Sequence, residues 1–125
     1  NADGDSPESF ARRNEILNDH CVAVGRDPGA IERTVGLPPV LIRATRDEAV
    51  HVLAGILTGH AADAEAAGRA ASGSPFAATL DDVIAHLRRY RDAGASAVMF
   101  DLPAPYDRAT LEALAGPARR AVAED

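Results

Sequence analysis

The sequence predicts an α/β fold that is incomplete as an isolated chain. Three observations carry this. From Thr79 to Leu102 a capped amphipathic helix, a glycine stop and a short apolar strand follow one another, with an acid, Asp101, at the strand's carboxyl end. A second apolar run, Val40-Leu41-Ile42, precedes another capped helix. Both runs are apolar at successive positions instead of alternating, as in parallel strands covered on both faces by crossover helices. Two strands alone leave open edges and bury too little. The chain is therefore expected either to pair with copies of itself or to belong to a larger barrel.

Along the chain, Asp3 to Pro7 reads as a turn. Ser6 can cap a helix with Pro7 at its first position and Glu8 in its first turn. Phe10, Leu17, Cys21 and Val24 share a face of that helix, and Gly25 ends it. Residues 34–44 read as one strand, surest at Val40-Leu41-Ile42. Pro38 and Pro39 cannot donate ladder hydrogen bonds, so its early half is expected at an edge or bulge. Thr45-Arg46-Asp47-Glu48 is a capping box opening the next helix, whose apolar face is Ala49, Val50, Leu53, Ile56 and Leu57.

Residues 58–78 are rich in Ala, Gly and Ser and lack a stripe of large apolar residues. They are expected to form a flexible or weakly helical insertion. Leu80, Val83, Ile84, Leu87 and Tyr90 make the next helical face, stopped by Gly94. Residues 96–102 form the second strand. Asp107 caps a last helix, interrupted at Gly116-Pro117.

With 125 residues the chain is one domain at most, read as a single partial domain over 1–125. The net charge of −6 argues against sequence-independent binding of nucleic acid, which needs a basic surface. No apolar run approaches the roughly 20 residues of a membrane helix. Cys21 is the one cysteine, so no intrachain disulfide can form. A soluble, cytoplasmic protein is expected. All 13 basic residues are arginine, which with abundant alanine suggests a GC-rich bacterial gene. The first residue is Asn1 and the one methionine is Met99. Removal of earlier residues, or a longer parent protein, is expected.

Candidate chemistry is sparse. His20 and Cys21 point about 100° apart on a helix, so they form no catalytic pair by themselves; a core cysteine beside an exposed histidine is expected. His51, His60 and His86 lack metal-ligand spacing and read as solvated. No Gly-x-Gly-x-x-Gly or lysine-bearing phosphate loop exists. Thr79 opens a helix whose free N–H groups could hold a phosphate, although an ordinary N-cap is the stronger expectation. Asp101 could orient a ligand or act as a base, or make a structural hydrogen bond near Tyr106.

Three stretches together resemble the carboxyl-terminal part of the luciferase-like monooxygenase superfamily, in its F420- or flavin-dependent branch. They are residues 3–28, residues 31–49, and Tyr90-Arg-Asp-Ala-Gly-Ala-Ser-Ala-Val-Met-Phe-Asp-Leu102. The resemblance covers most of this chain but only about the last two-fifths of such a protein. It implies a (β/α)8 TIM barrel whose last two strands are the two above, with Asn1 near the active-site mouth. It implies F420, or alternatively FMN, as cofactor of the intact barrel. Asn1, Thr79 and Asp101 are the cofactor-site candidates. Relatives commonly carry Gly-Thr-Pro or Gly-Ser-Pro where this chain has Ala78-Thr79-Leu80, which restricts close backbone approach at Thr79. The chain alone is expected to be inactive and to form homo-oligomers or to need the preceding part of the barrel. The rival expectation is a non-catalytic, self-associating α/β module derived from a barrel.

Overall fold

Helix-forming segments with sharp start and stop signals dominate the chain, and a computed structural model describes residues 2–3 and 5–124. Helix α1 spans Pro7–Ala23. The Ser6 side chain accepts from the Ser9 N–H, Pro7 occupies the first turn, and Gly25 closes the helix at φ +71°. Helix α2 (Arg46–Leu57) starts at Thr45, whose Oγ1 accepts from the Glu48 N–H at 3.2 Å. The Glu48 carboxylate does not close the box on Thr45 but lies 3.9 Å from Arg43 Nε. Helix α4 (Leu80–Asp92) ends before Gly94, which adopts φ +102°. There Asn14 Nδ2 donates to the Ala93 carbonyl at 2.9 Å. Helix α5 (Arg108–Ala113) is capped by Asp107; a π-type turn at Leu114–Ala118 contains Pro117 and leads into α6 (Arg119–Ala123).

The strands are shorter and more numerous than the two expected. They are β1 (Ala2–Asp3), β2 (Thr34–Leu37), β3 (Leu41–Ile42), β4 (Ala77–Ala78) and β5 (Ala97–Phe100). They form a three-stranded sheet of order β1-β2-β5 and a two-stranded sheet β3-β4. β1 runs parallel to β2, pairing Ala2 with Val35, and β3 runs parallel to β4, pairing Leu41 with Ala77. The fold is α/β with two short parallel-strand sheets, and the described residues close no barrel.

Three expectations need correction. The strand over 34–44 is two strands in different sheets. Pro38 and Pro39 separate them, because neither can donate to a ladder. For the same reason β2 is not an edge: its ladder ends before the prolines, and it lies between β1 and β5. Residues 58–78, expected as a flexible or weakly helical insertion, do contain a helix, but its small residues form a buried face. Helix α3 (Ala64–Gly73) is capped by Asp63 and packs on α2, with Ala67 and Ala71 fully buried; β4 follows it. Alanines four apart provide a narrow stripe that lets helix axes come close, and a search for large apolar residues overlooks them.

The chain divides into two compact units. One holds the chain up to Leu37 with Arg89–Met99. Phe10, Cys21, Val35, Leu37 and Tyr90 are buried there, and the Phe10 and Tyr90 rings meet edge-on at 6.3 Å. The residues just before β2 and β5 are joined: Ser96 N donates to the Arg33 carbonyl at 2.8 Å, and Arg33 N donates to Ser96 Oγ at 3.1 Å. The other unit holds Pro38–Arg88 and the chain from Phe100 onward. Its core is Leu41, Ala49, Leu53, Leu57, Ala67, Ala71 and Ala77. Arg46 ties its turns together, with Nη1 donating to the Ser74 and Ala77 carbonyls and Nη2 to the Ser72 carbonyl. These acceptors include carbonyls at the end of α3 that no helical N–H reaches.

β3 and β4 are buried at every position, as continuous apolar strands should be. β5 is not: Val98 and Met99 are 36% and 48% exposed.

Candidate functional site

The segment after β5 carries two acids, two prolines and a tyrosine before α5 begins. Asp107 fixes the far end of this segment. Its Oδ2 accepts from the Thr110 N–H at 2.9 Å and from the Thr110 hydroxyl, while Arg43 Nη1 and Nη2 donate to its two oxygens at 2.9 and 2.7 Å. Thr110 Oγ1 in turn accepts from the Ile42 N–H at 3.0 Å. The Arg43 guanidinium holds the Asp107 carboxyl well below the usual carboxylate range; the Thr110 hydroxyl and amide add to this against the opposing effect of burial. The same pairing pushes Arg43 up. Beside the cluster, side chains including Val40, Leu53, Leu102 and Leu111 leave a void of only about 10 Å³, so this end of the segment is firmly packed.

The other end borders a groove of about 540 Å³. Its walls are Leu57, His60, Ala61 and Ala70 on one side and Asp101, Leu102, Pro103, Ala104 and Tyr106 on the other. This volume lies in the range of small-molecule clefts, and the surface mixes apolar and polar groups about evenly. The His60 ring Nε2 donates to the Ala104 carbonyl, which leaves Nδ1 as an acceptor in the neutral ring. Asp101 is exposed, and neither its carboxylate nor the Tyr106 hydroxyl has a hydrogen-bond or ion-pair partner among the described residues. Tyr106 is 67% exposed. Two polar groups without partners and a positioned imidazole therefore share one groove.

A second open groove, of about 570 Å³, lies in the other unit along Pro28–Arg33 and Ser96. Its cation is already engaged: Arg33 Nη2 donates to Asn18 Oδ1 at 2.7 Å and to the Pro28 carbonyl at 3.2 Å. That groove also holds the exposed Glu32 carboxylate, but the Asp101 groove is the better candidate because it brings together an acid, a tyrosine hydroxyl and a positioned imidazole.

Of the residues singled out from sequence, Asp101 lines this groove and Thr79 does not. Thr79 Oγ1 accepts from the Asp82 N–H at 3.2 Å and donates to Asp82 Oδ2 at 2.9 Å, an N-cap engaged with its own helix. Asn1 lies outside the described residues. Cys21 is buried and His20 exposed, as expected. His86 is half-buried against the Phe76 ring, with centroids 5.6 Å apart, and is not a solvated side chain. His60 was expected to be solvated as well; it is exposed but held at the groove wall. Sequence reasoning missed His60 and the Arg43–Asp107 pair. Both arise from contacts between distant segments that leave no local spacing to read.

Among the described residues no helix is long and apolar enough to cross a membrane. The described residues form an α/β protein in which a groove of small-molecule size is lined by Asp101, the residue that follows strand β5. The chain matches no known protein-family model, and no curated protein is similar to it.

Proposed function

We propose that the chain is part of the carboxyl-terminal portion of a luciferase-like oxidoreductase that uses F420, with FMN as the alternative, for hydride transfer in the intact barrel. The observation that supports this best is Asp101, an exposed acid directly after apolar strand β5 that opens onto a groove of about 540 Å³. Ligands in β/α folds meet the protein just beyond the carboxyl ends of strands. Partial exposure of Val98 and Met99 also agrees with a strand meant to be covered by further structure.

The residues present do not fit the whole cofactor. An apolar wall suits a fused ring, but FMN and F420 also carry phosphate. The groove lining contains no arginine, Asp101 would repel a phosphate, and the Thr79 hydroxyl is engaged in its helix cap. The chain therefore contributes wall and shape to such a site, and phosphate binding falls to residues elsewhere in a barrel. Alone it is expected to transfer no hydride and to bind cofactor weakly or not at all.

The second reading is a self-associating module without catalysis. It is favoured by the half-bare strand β5, whose apolar side chains a second copy could cover. Intact mass and bound chromophore of the protein purified from its native source separate the two. A chain of barrel size that retains F420 or FMN is expected. A chain of 13.0 kDa with no chromophore, stable as a defined oligomer, would establish the module instead.

A further inference from the structure

We infer that the Asp101 groove is selective for an organic cation with an apolar body, such as an arylalkylammonium ion. The charge in the groove is one-sided. Asp101 contributes a carboxylate with no partner among the described residues, and no arginine lines the cleft. With its ring neutral the histidine does not reverse this, because the Nε2 proton is directed to the Ala104 carbonyl and Nδ1 then accepts. The Asp101 carboxylate accepts hydrogen bonds only, and the Tyr106 hydroxyl can accept as well as donate, so a donor with positive charge suits the groove best. The Tyr106 ring lines the same cleft, and an aromatic face attracts cations. Leu57, Leu102 and Pro103 offer apolar surface to the rest of the ligand. An anion of the same shape would meet the Asp101 carboxylate, and a neutral isostere would leave it unpaired. A cation-selective groove exists whether or not the chain belongs to an oxidoreductase barrel, so failure of one proposal leaves the other standing.

The test is a titration of the 125-residue protein with phenethylammonium, followed by amide-resolved NMR, with phenethyl alcohol and phenylacetate as comparisons. Saturable shifts are expected at Ala61, Ala70, Asp101, Leu102 and Tyr106. Phenethyl alcohol should bind about tenfold more weakly, and phenylacetate more weakly still, because charge-assisted hydrogen bonds are among the stronger ones. Asp101→Asn should weaken the ammonium by about tenfold with little effect on the alcohol. The chain carries net charge −6, so attraction of any cation must be separated from the groove. Asp19→Asn, on the exposed side of α1, removes the same charge elsewhere and should leave binding unchanged. Equal binding of ammonium and alcohol, equal effects of the two substitutions, or the absence of saturable shifts would each overturn the proposal. The ligand comparison reads selectivity in the unmodified protein, so the outcome does not hang on a variant folding.

Discussion

Arg43 and Asp107 stand 64 positions apart and form two parallel hydrogen bonds, Nη1 to Oδ2 and Nη2 to Oδ1. The pair links the residue after β3 to the cap of α5, and its side chains are only 21% and 18% exposed. A pair so withdrawn from water is costly to break from one side, because the remaining charge stays partly desolvated. Asp107→Ala also removes the helix cap and a Thr110 contact. Together these should lower unfolding stability by about 2–4 kcal/mol. Thr110→Val keeps the volume but leaves the Ile42 N–H without its acceptor, at a cost of about 1–3 kcal/mol. Urea unfolding with an unchanged m-value checks both; losses below about 0.5 kcal/mol would show that the cluster contributes little.

The same carboxyl makes stability depend on acid. The folded-state pKa of Asp107 lies well below the usual carboxylate range, chiefly through the hydrogen-bonded Arg43, whereas in the unfolded chain it titrates near about 3.9. A depressed folded pKa means that the unfolded state takes up the proton first. The stabilisation is thus fully present above about pH 4 and is lost progressively below it, as pH falls toward the folded pKa. The stability gap between the natural protein and Asp107→Asn should be constant near neutrality and shrink below about pH 4. A gap that persists unchanged into strong acid would mean that its origin is packing and not charge.

Helix α3 offers a contrast between two neighbouring small residues. Ala67 is fully buried against the α2 face, whereas a Cβ added at Gly68 meets nothing within 4 Å. Ala67→Leu forces the helices apart and should cost about 1–3 kcal/mol. Gly68→Ala removes backbone freedom from the unfolded chain and should raise stability by about 0.5–1 kcal/mol. Thermal unfolding of the two variants should shift in opposite directions. If both shifted downward, α3 would not pack on α2 as described.

Local chemistry made the helices legible. Ser6-Pro7, Thr45, Asp107, Gly25 and Gly94 each announce a start or stop through side-chain oxygens or positive φ, and each acts at the place expected. The sheets were less legible. Two-residue strands such as Ala77–Ala78 carry no period, and their pairing with Leu41–Ile42 depends on tertiary packing. In the run through Pro38-Pro39 the missing donors were legible, but whether they make a bulge in one strand or divide it into two is decided by which partners the halves find. In the groove, Asp101 stood out by its place after an apolar strand. His60 and Tyr106 join it only because residues 57–61 and 101–106 fold together, which no spacing encodes.

Strand β5 decides whether the chain associates. Ala97-Val98-Met99-Phe100 is apolar throughout and lies at one side of its three-stranded sheet, yet Val98 and Met99 remain partly exposed. An apolar strand at a sheet edge is a template for pairing, and natural edges are commonly blunted with charge. The purified chain should therefore have a native mass above its 13.0 kDa monomer, by light scattering, at high concentration. Met99→Lys places a charge on the exposed strand and withdraws apolar area worth about 1–2 kcal/mol per site, so the midpoint of association should move to about tenfold higher concentration. Ile16→Lys, on an exposed part of α1, serves as the comparison and should leave that midpoint in place. A monodisperse monomer that unfolds cooperatively would exclude association altogether. Equal effects of the two lysines would place the contact on more than β5.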